Sequence, residues 1–227
     1  CSQQRLTVIG KYMNHLSLSD KGQRLVNMYT EMAKSGYATK IGTEITDAYN
    51  SFELRKIRDV IKKKFNQYEV DTVLDYGCGG SDWNAAGFKD ELSALDFFGL
   101  KMAYRFEPAR SIDERTSVDC VVCFDVLEHI FISDVATVLR DIFSHAKKLV
   151  ILNVACYDAD ALLPNGENAH ITVRNPHWWK GVLDLISVEY PSIAVDLICS
   201  PKYDRMVAFP TFSDQQRQND EKFCIVY

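Results

Sequence analysis

Three stretches of the chain gather residue types able to do chemistry. The first, VDTVLDYGCGGS from Val70 to Ser81, sets Asp75 at the end of a short apolar run and Gly77, Gly79 and Gly80 in the turn that follows. A backbone that bends sharply out of a strand and approaches a ligand closely needs glycine. In an open parallel sheet, ligands sit beyond the carboxyl ends of the strands. The spacing is not GxGxxG, because Ser81 and Asp82 stand where a third glycine belongs, and the GK[ST] ending of a phosphate-binding loop is missing. A dinucleotide fold would hold a pyrophosphate at a helix N-terminus, whereas a carboxylate beside the turn suits a cationic ligand better. A tight turn without a ligand is the structural alternative.

The second stretch, SVDCVVCFDVLEHI from Ser117 to Ile130, is an apolar strand pattern that ends in Phe124-Asp125 and passes into Glu128-His129. The third runs from Asn153 to Leu183 and holds the turn Pro164-Asn165-Gly166, then Glu167, Asn168 and His170, then Pro176 and the pair Trp178-Trp179. Histidine titrates near neutral pH, so His170 is the candidate general base. Asn168 would orient a bound group, and Glu167 would orient or charge-tune the imidazole. The alternative is a histidine that ties the loop to the fold. Adjacent tryptophans on a helix point about 100° apart, so at most one faces a ligand and the other packs on the sheet.

Composition bounds what these stretches can serve. At 227 residues, with 47% hydrophobic and 25% charged residues, the chain suits one compact unit with a sizeable core. A net charge of −5 gives no general attraction to nucleic acid. The basic run Lys62, Lys63, Lys64 reads as a solvated helix end. The seven cysteines are scattered, and the single CxxC, Cys120 and Cys123, lies inside an apolar strand with no partner set to complete a zinc tetrahedron. They read as buried reduced thiols, and no metal site is expected. No apolar stretch approaches a membrane span and no signal pattern opens the chain, so a cytoplasmic protein without membrane contact is expected.

The elements that must position these residues are also legible. Ser17 to Phe65 reads as helical: Ser19 caps DKGQRLVNMYTEMAK, and a second helix spans Thr46 to Phe65. Strand-type runs follow at Val70–Leu74, Met102–Phe106, Cys120–Phe124, Leu149–Val154, Ala194–Ile198 and Phe223–Tyr227. Helical patterns at Ser133–His145 and His177–Ile186 separate some of them. Strands alternating with helices predict an open, mostly parallel α/β sheet with helices on both faces, closed by a terminal antiparallel pair. Residues 1–66 form an N-terminal helical lid or extension, and residues 67–227 the sheet domain.

DYGCGG and DVLEHI, in this order, resemble the class I S-adenosylmethionine-dependent methyltransferases over about Val70 to Val154, and the terminal strand pair matches that family's seven-stranded-type Rossmann-like sheet. The resemblance implies S-adenosylmethionine as cofactor and S-adenosylhomocysteine as product. It implies that Asp75, Gly77, Cys78 and Gly79 hold the amino acid part, with Asp75 contacting its ammonium. Phe124 and Asp125 would border the methionine side, and Leu127 would pack near the adenosine. Glu128 and His129 belong to the signature, where they shape the turn, and His129 also borders the substrate. The family's ribose-binding acid is Glu107, ahead of Asp96. Choosing Glu107 leaves only Pro108 to Val118 before the next strand, too few residues for a full crossover. The loop ahead of the double tryptophan resembles a subset of bacterial and phage-type methyltransferases, with Trp178 as a candidate substrate wall. Tyr12, Tyr29, Tyr37 and Tyr49 would belong to the lid.

The expected activity is methyl transfer to an O or N atom of a small or medium-sized acceptor, a saccharide or other metabolite. Methylation of RNA or protein, a non-catalytic cofactor-binding scaffold, and a nicotinamide-dependent dehydrogenase are the alternatives.

Overall fold

The computed structural model of the protein describes residues 16–46, 53–203, 205–209 and 224–226; Tyr12 and Tyr49 lie outside them. The run DKGQRLVNMYTEMAKS forms helix α1 (Asp20–Ser35), with Ser19 as its N-cap accepting from the Gly22 amide at 3.2 Å. Gly36 ends it at φ 83, where an added Cβ would lie 2.1 Å from the Ile45 carbonyl oxygen. The chain therefore turns into the hairpin β1 (Tyr37–Ala38) and β2 (Glu44–Ile45), between the two helices expected within the helical stretch Ser17 to Phe65. Helix α2 (Arg58–Gln67) follows a short 3-10 turn at Glu53–Ile57.

The apolar runs then build one sheet. Strands β3 (Thr72–Tyr76), β4 (Met102–Glu107), β6 (Val118–Phe124), β7 (Ala146–Ala155) and β8 (Ala194–Lys202) lie parallel in the order β4-β3-β6-β7-β8. Helix α3 (Ala94–Phe98) lies between β3 and β4, α4 (Ile132–His145) between β6 and β7, and α5 (Pro176–Ser187) between β7 and β8. The mostly parallel α/β sheet expected from alternating patterns is present. Alternate residues face opposite sides: Leu74, Val121, Cys123, Val150 and Leu152 pack under α4 and α5, while Val73, Cys120, Val122, Leu149 and Ile151 pack under α2 and α3. Cys120 and Cys123 are thus buried on opposite faces, as apolar packing residues. The basic run on α2 is tied inward at both ends: Lys62 donates to the Phe97 carbonyl at 2.6 Å, and Lys64 pairs with Asp196 at 2.9 Å. Among the described residues, no helix is long and apolar enough to cross a membrane.

The short segment after Glu107 solves its length problem without a helix. Pro108–Arg110 makes a 3-10 turn, and the two-residue strand β5 (Ile112–Asp113) folds back antiparallel on the edge strand β4. The sheet face there is covered by Arg115, whose guanidinium lies 4.2 Å from the Phe106 ring centroid and pairs with Asp113 and with Asp141 of α4. Tyr76 donates to the same Asp141 at 2.7 Å.

At the other edge the antiparallel terminal pair is present with a different partner. Strand β8 pairs with β9 (Arg205–Phe209), a run without a strand signal in the sequence, and β10 (Cys224–Val226) pairs with β9 in turn. These are seven strands plus the two-residue β5.

Candidate functional site

The carboxyl ends of the central strands open onto a cavity of about 760 Å³, within the size range of small-molecule sites. Its roof is α1, held by Asp134 at the start of α4. Ser19 donates to that carboxylate through its amide (2.9 Å) and its hydroxyl (2.7 Å). An added Cβ on Gly22 would lie 2.5 Å from Asp134 Oδ2, so this close approach depends on glycine.

One end of the cavity is made from backbone. Gly77 sits at φ 80, and a Cβ there would lie 2.3 Å from Cγ2 of Val126, so conformation and space both demand glycine. The turn is fastened to β4: the Gly77 and Cys78 amides donate to the Phe106 carbonyl at 2.7 and 3.2 Å, and the Gly79 amide donates to Glu107 Oε2 at 3.1 Å. Glu107 also accepts the Ala109 amide through Oε1 at 3.0 Å. Burial pushes the Glu107 carboxyl above its ordinary value, against the two amides that hold it down. Each of its oxygens keeps a second lone pair for a hydroxyl donor, and Glu107 lines the cavity beside Gly77, Cys78 and Gly79.

Asp75 stands behind this turn and does not line the cavity. Its Oδ2 accepts from Trp83 Nε1 at 2.9 Å. Burial drives its pKa up to about 7; the Trp83 bond opposes the rise and the charge of Glu107 adds to it. In this arrangement Asp75 braces β3 to the buried Trp83. Asp96 sits in the first turn of α3, not at a strand end, and bonds to the capping residue Ser93. Its Oδ2 accepts from Ser93 Oγ at 2.7 Å while its amide donates to that oxygen at 3.0 Å. Of the two candidate ribose acids, only Glu107 reaches the cavity.

The opposite end is made from side chains. Phe124 and Asp125 line the cavity where β6 ends, and Asp125 holds φ 52, a left-handed conformation that few non-glycine residues adopt. Leu127, expected near the ligand, instead faces the core beneath α4 at 1% exposure. Glu128 is fully buried: Oε1 accepts the Ala155 amide at 2.7 Å, and Oε2 has no hydrogen-bond partner among the described residues. Burial, then the neighbouring Asp125 carboxylate, push the Glu128 carboxyl well above the usual range.

Two imidazoles meet beside it, edge to face, with ring centroids 4.8 Å apart. His129 Nδ1 lies 2.9 Å from the Ala169 carbonyl and 2.6 Å from the Tyr29 hydroxyl, which itself donates to Ala169 O at 3.1 Å. His170 Nδ1 meets the Tyr157 carbonyl. A carbonyl can only accept, so both Nδ1 atoms carry the proton and both Nε2 atoms keep a lone pair. Burial lowers the pKa of both rings, that of His129 to about 3 with His170 adding to the effect. One ligand atom from each of Glu128, His129 and His170 lies within 4.8 Å of the other two.

The partners expected for His170 do other work. Glu167 is exposed and closes a turn with Asn165, accepting from its Nδ2 at 2.8 Å. Asn168 spends its amide on backbone: Oδ1 accepts from the Ala159 and His170 amides, both at 3.0 Å, and Nδ2 donates to Ala159 O at 2.8 Å. Asn168 therefore shapes the loop that carries His170, and Tyr157 O, not Glu167, sets the ring. Trp178 lies outside the cavity, edge to face with Trp179 and near the Arg174 guanidinium. Pro176 starts α5 on the sheet, so Trp179 fills the core and Trp178 covers it. Tyr157 and Ala169 act through their carbonyls, which no side-chain pattern reveals.

No family model matches the chain, and neither a curated protein nor a solved structure matches it.

Proposed function

We propose that the protein is an S-adenosylmethionine-dependent methyltransferase acting on an O or N atom of a small acceptor. The observation that carries this reading is Glu107: a half-buried carboxylate at the end of β4, bonded to the Gly79 amide of the glycine turn and lining the cavity. A carboxylate with open lone pairs on both oxygens suits a vicinal diol such as a ribose. The turn offers poor ground for a pyrophosphate. Its Gly77, Cys78 and Gly79 amides are already donated to Phe106 O and Glu107, and no α-helix begins until Ala94. That speaks against a nicotinamide dinucleotide.

The acidic residues Glu107, Asp125, Asp134 and Asp160 outnumber Arg55 and Arg110 in the cavity lining, and that balance favours a cationic ligand. When bound, the cofactor supplies a methyl group on a positively charged sulfur. Phe124 and Asp125 line the cavity where β6 ends, and the roof of α1 excludes water. At the far end, His170 Nε2 offers a lone pair to the acceptor's proton, and the ring is fixed through Tyr157. The net acidic charge and the inward-tied Lys62 and Lys64 favour a metabolite over RNA.

Calorimetric titration with S-adenosylmethionine, S-adenosylhomocysteine and NAD tests this. Both adenosyl ligands should bind and NAD should not. Glu107→Gln should weaken adenosyl binding about 10- to 100-fold, the worth of one or two charged hydrogen bonds. Absence of adenosyl binding at millimolar concentration, or equal binding of NAD, would sink the proposal.

A further inference from the structure

We infer that Glu128, His129 and His170 form a binding site for one divalent transition-metal ion of the imidazole-accepting class, such as Mn²⁺, Fe²⁺, Co²⁺ or Zn²⁺. The three ligand atoms already lie within 4.8 Å of one another. Ligand bonds of roughly 2.0–2.2 Å would set them ~3.4 Å apart, so a closure of at most ~1.5 Å completes the set.

Three independent features point to a cation. Metal-binding imidazoles characteristically give their other N–H to a backbone carbonyl or carboxylate, which fixes the tautomer and aims the free nitrogen. Both rings here do so, His129 to Ala169 O and His170 to Tyr157 O. Glu128 becomes the anionic ligand when an incoming cation displaces the proton that its burial favours. Its Oε1 is pinned by the Ala155 amide, and its fully buried Oε2 has no hydrogen-bond partner among the described residues. The Asp125 carboxyl stands beside it, and two neighbouring carboxyl groups, one of them fully buried, are costly unless a proton or a cation lies between them. Finally, His129 and His170 line the cavity, so three protein ligands would leave open positions for a water or an acceptor atom, as catalytic sites do. Two nitrogens and one oxygen favour first-row transition ions over Mg²⁺ and Ca²⁺, which take oxygen ligands.

The site rests on side-chain geometry and does not depend on the methyltransferase reading. Where both hold, the cation would bind the acceptor's heteroatom and make it more acidic, and His170 would be its ligand instead of the base.

The test uses the full chain, stripped with chelator and freed of any tag, titrated with Co²⁺ in the absence of adenosyl ligand. Calorimetry and visible absorption should show one Co²⁺ per chain, with a Kd at or below ~10 µM and no competition from Mg²⁺. His170→Ala should weaken binding at least ~30-fold, and His177→Ala, an exposed imidazole outside the cavity, should leave it unchanged. Absence of Co²⁺ binding below about 1 mM, or equal binding by His170→Ala, overturns the site. Should that variant fail to fold, pulsed electron paramagnetic resonance of the wild-type chain with Mn²⁺ counts coordinated imidazole nitrogens. Two support the site and fewer overturn it. Because no adenosyl ligand is present, failure here and failure of the methyltransferase reading are read separately.

Discussion

The two ends of the cavity each hold a glutamate, Glu107 half-buried and Glu128 fully buried, and the two carboxyl groups are treated differently. Glu107 has both oxygens met by backbone amides, of Gly79 and Ala109. Glu128 has one oxygen met by the Ala155 amide, while the other has no amide among the described residues and the Asp125 carboxyl for a neighbour. A satisfied carboxylate is a finished part of the scaffold whose remaining lone pairs are free to accept hydroxyl donors. A half-satisfied one stores an unmet electrostatic demand in a place where water cannot relieve it. The first end is therefore set by backbone geometry and the second by side-chain chemistry. Perturbing the two ends should have separable consequences.

The sharpest way to break the comparison is at Gly77. An alanine there must hold φ near 80 with its Cβ 2.3 Å from Cγ2 of Val126. Left-handed strain costs about 1–3 kcal/mol and the overlap a similar amount. Gly77→Ala should lose on the order of 3–5 kcal/mol of stability and on the order of 100-fold in adenosyl-ligand affinity, read by denaturant unfolding and calorimetry. Its Co²⁺ affinity should fall far less. An equal loss at both ends would show that they are one coupled unit, and the contrast drawn between them would fail.

The backbone-built end is the more legible in sequence. Glycine spacing, a terminal carboxylate and alternating apolar runs are local signals, and β3, β6 and α4 fall close to where they point. Ser19 reads as a cap and is one. The side-chain end is less legible because its contacts are tertiary. Glu128-His129 follows a strand, His170 sits in a loop far along the chain, and no ligand-spacing template joins them. The cysteine pattern, which does follow a template, leads only to packing residues. Glu167 and Asn168 stand near His170 in sequence, yet both are consumed by turn and loop backbone. Proximity along a loop says little about which way a side chain points. The hairpin β1–β2 is hidden inside a helical pattern, because one glycine, Gly36, outweighs the propensity of its neighbours.

Asp75 sharpens the comparison on the backbone side, where it braces the turn without touching the cavity. Its folded pKa is raised to about 7, against about 3.9 in an unfolded chain. Between those values the folded state keeps a proton that the unfolded state has released. Stability from this group is therefore intact below about pH 4, falls as pH rises to 7, and is flat above it. An asparagine side chain at this position would still accept from Trp83 and would not ionise. Asp75→Asn should thus stabilise the protein by on the order of 2–4 kcal/mol at pH 8 and by almost nothing at pH 4. Adenosyl affinity should change by less than about threefold, since the group acts behind the turn. Denaturant midpoints across pH 4–8 measure the first expectation, and calorimetry at pH 8 the second. A large loss of affinity would mean that Asp75 contacts the ligand directly after all.

The smallest effect is expected where the roof meets the side-chain end. Tyr29, on α1, donates its hydroxyl to Ala169 O and receives His129 Nδ1–H, while His129 keeps a second acceptor in the same carbonyl. Tyr29→Phe therefore removes both hydrogen bonds of the hydroxyl, but His129 Nδ1–H keeps Ala169 O, so the net loss is about one bond and the tautomer stays fixed. The expected cost is about 1 kcal/mol, a fall of roughly 2–4 °C in melting temperature for a chain of this size. Because Nε2 of His129 stays free, Co²⁺ affinity should hold within about threefold. A loss of cation binding as large as that of His170→Ala would assign Tyr29 the task of orienting the ligand ring, and α1 would then be part of the side-chain end as well as its roof.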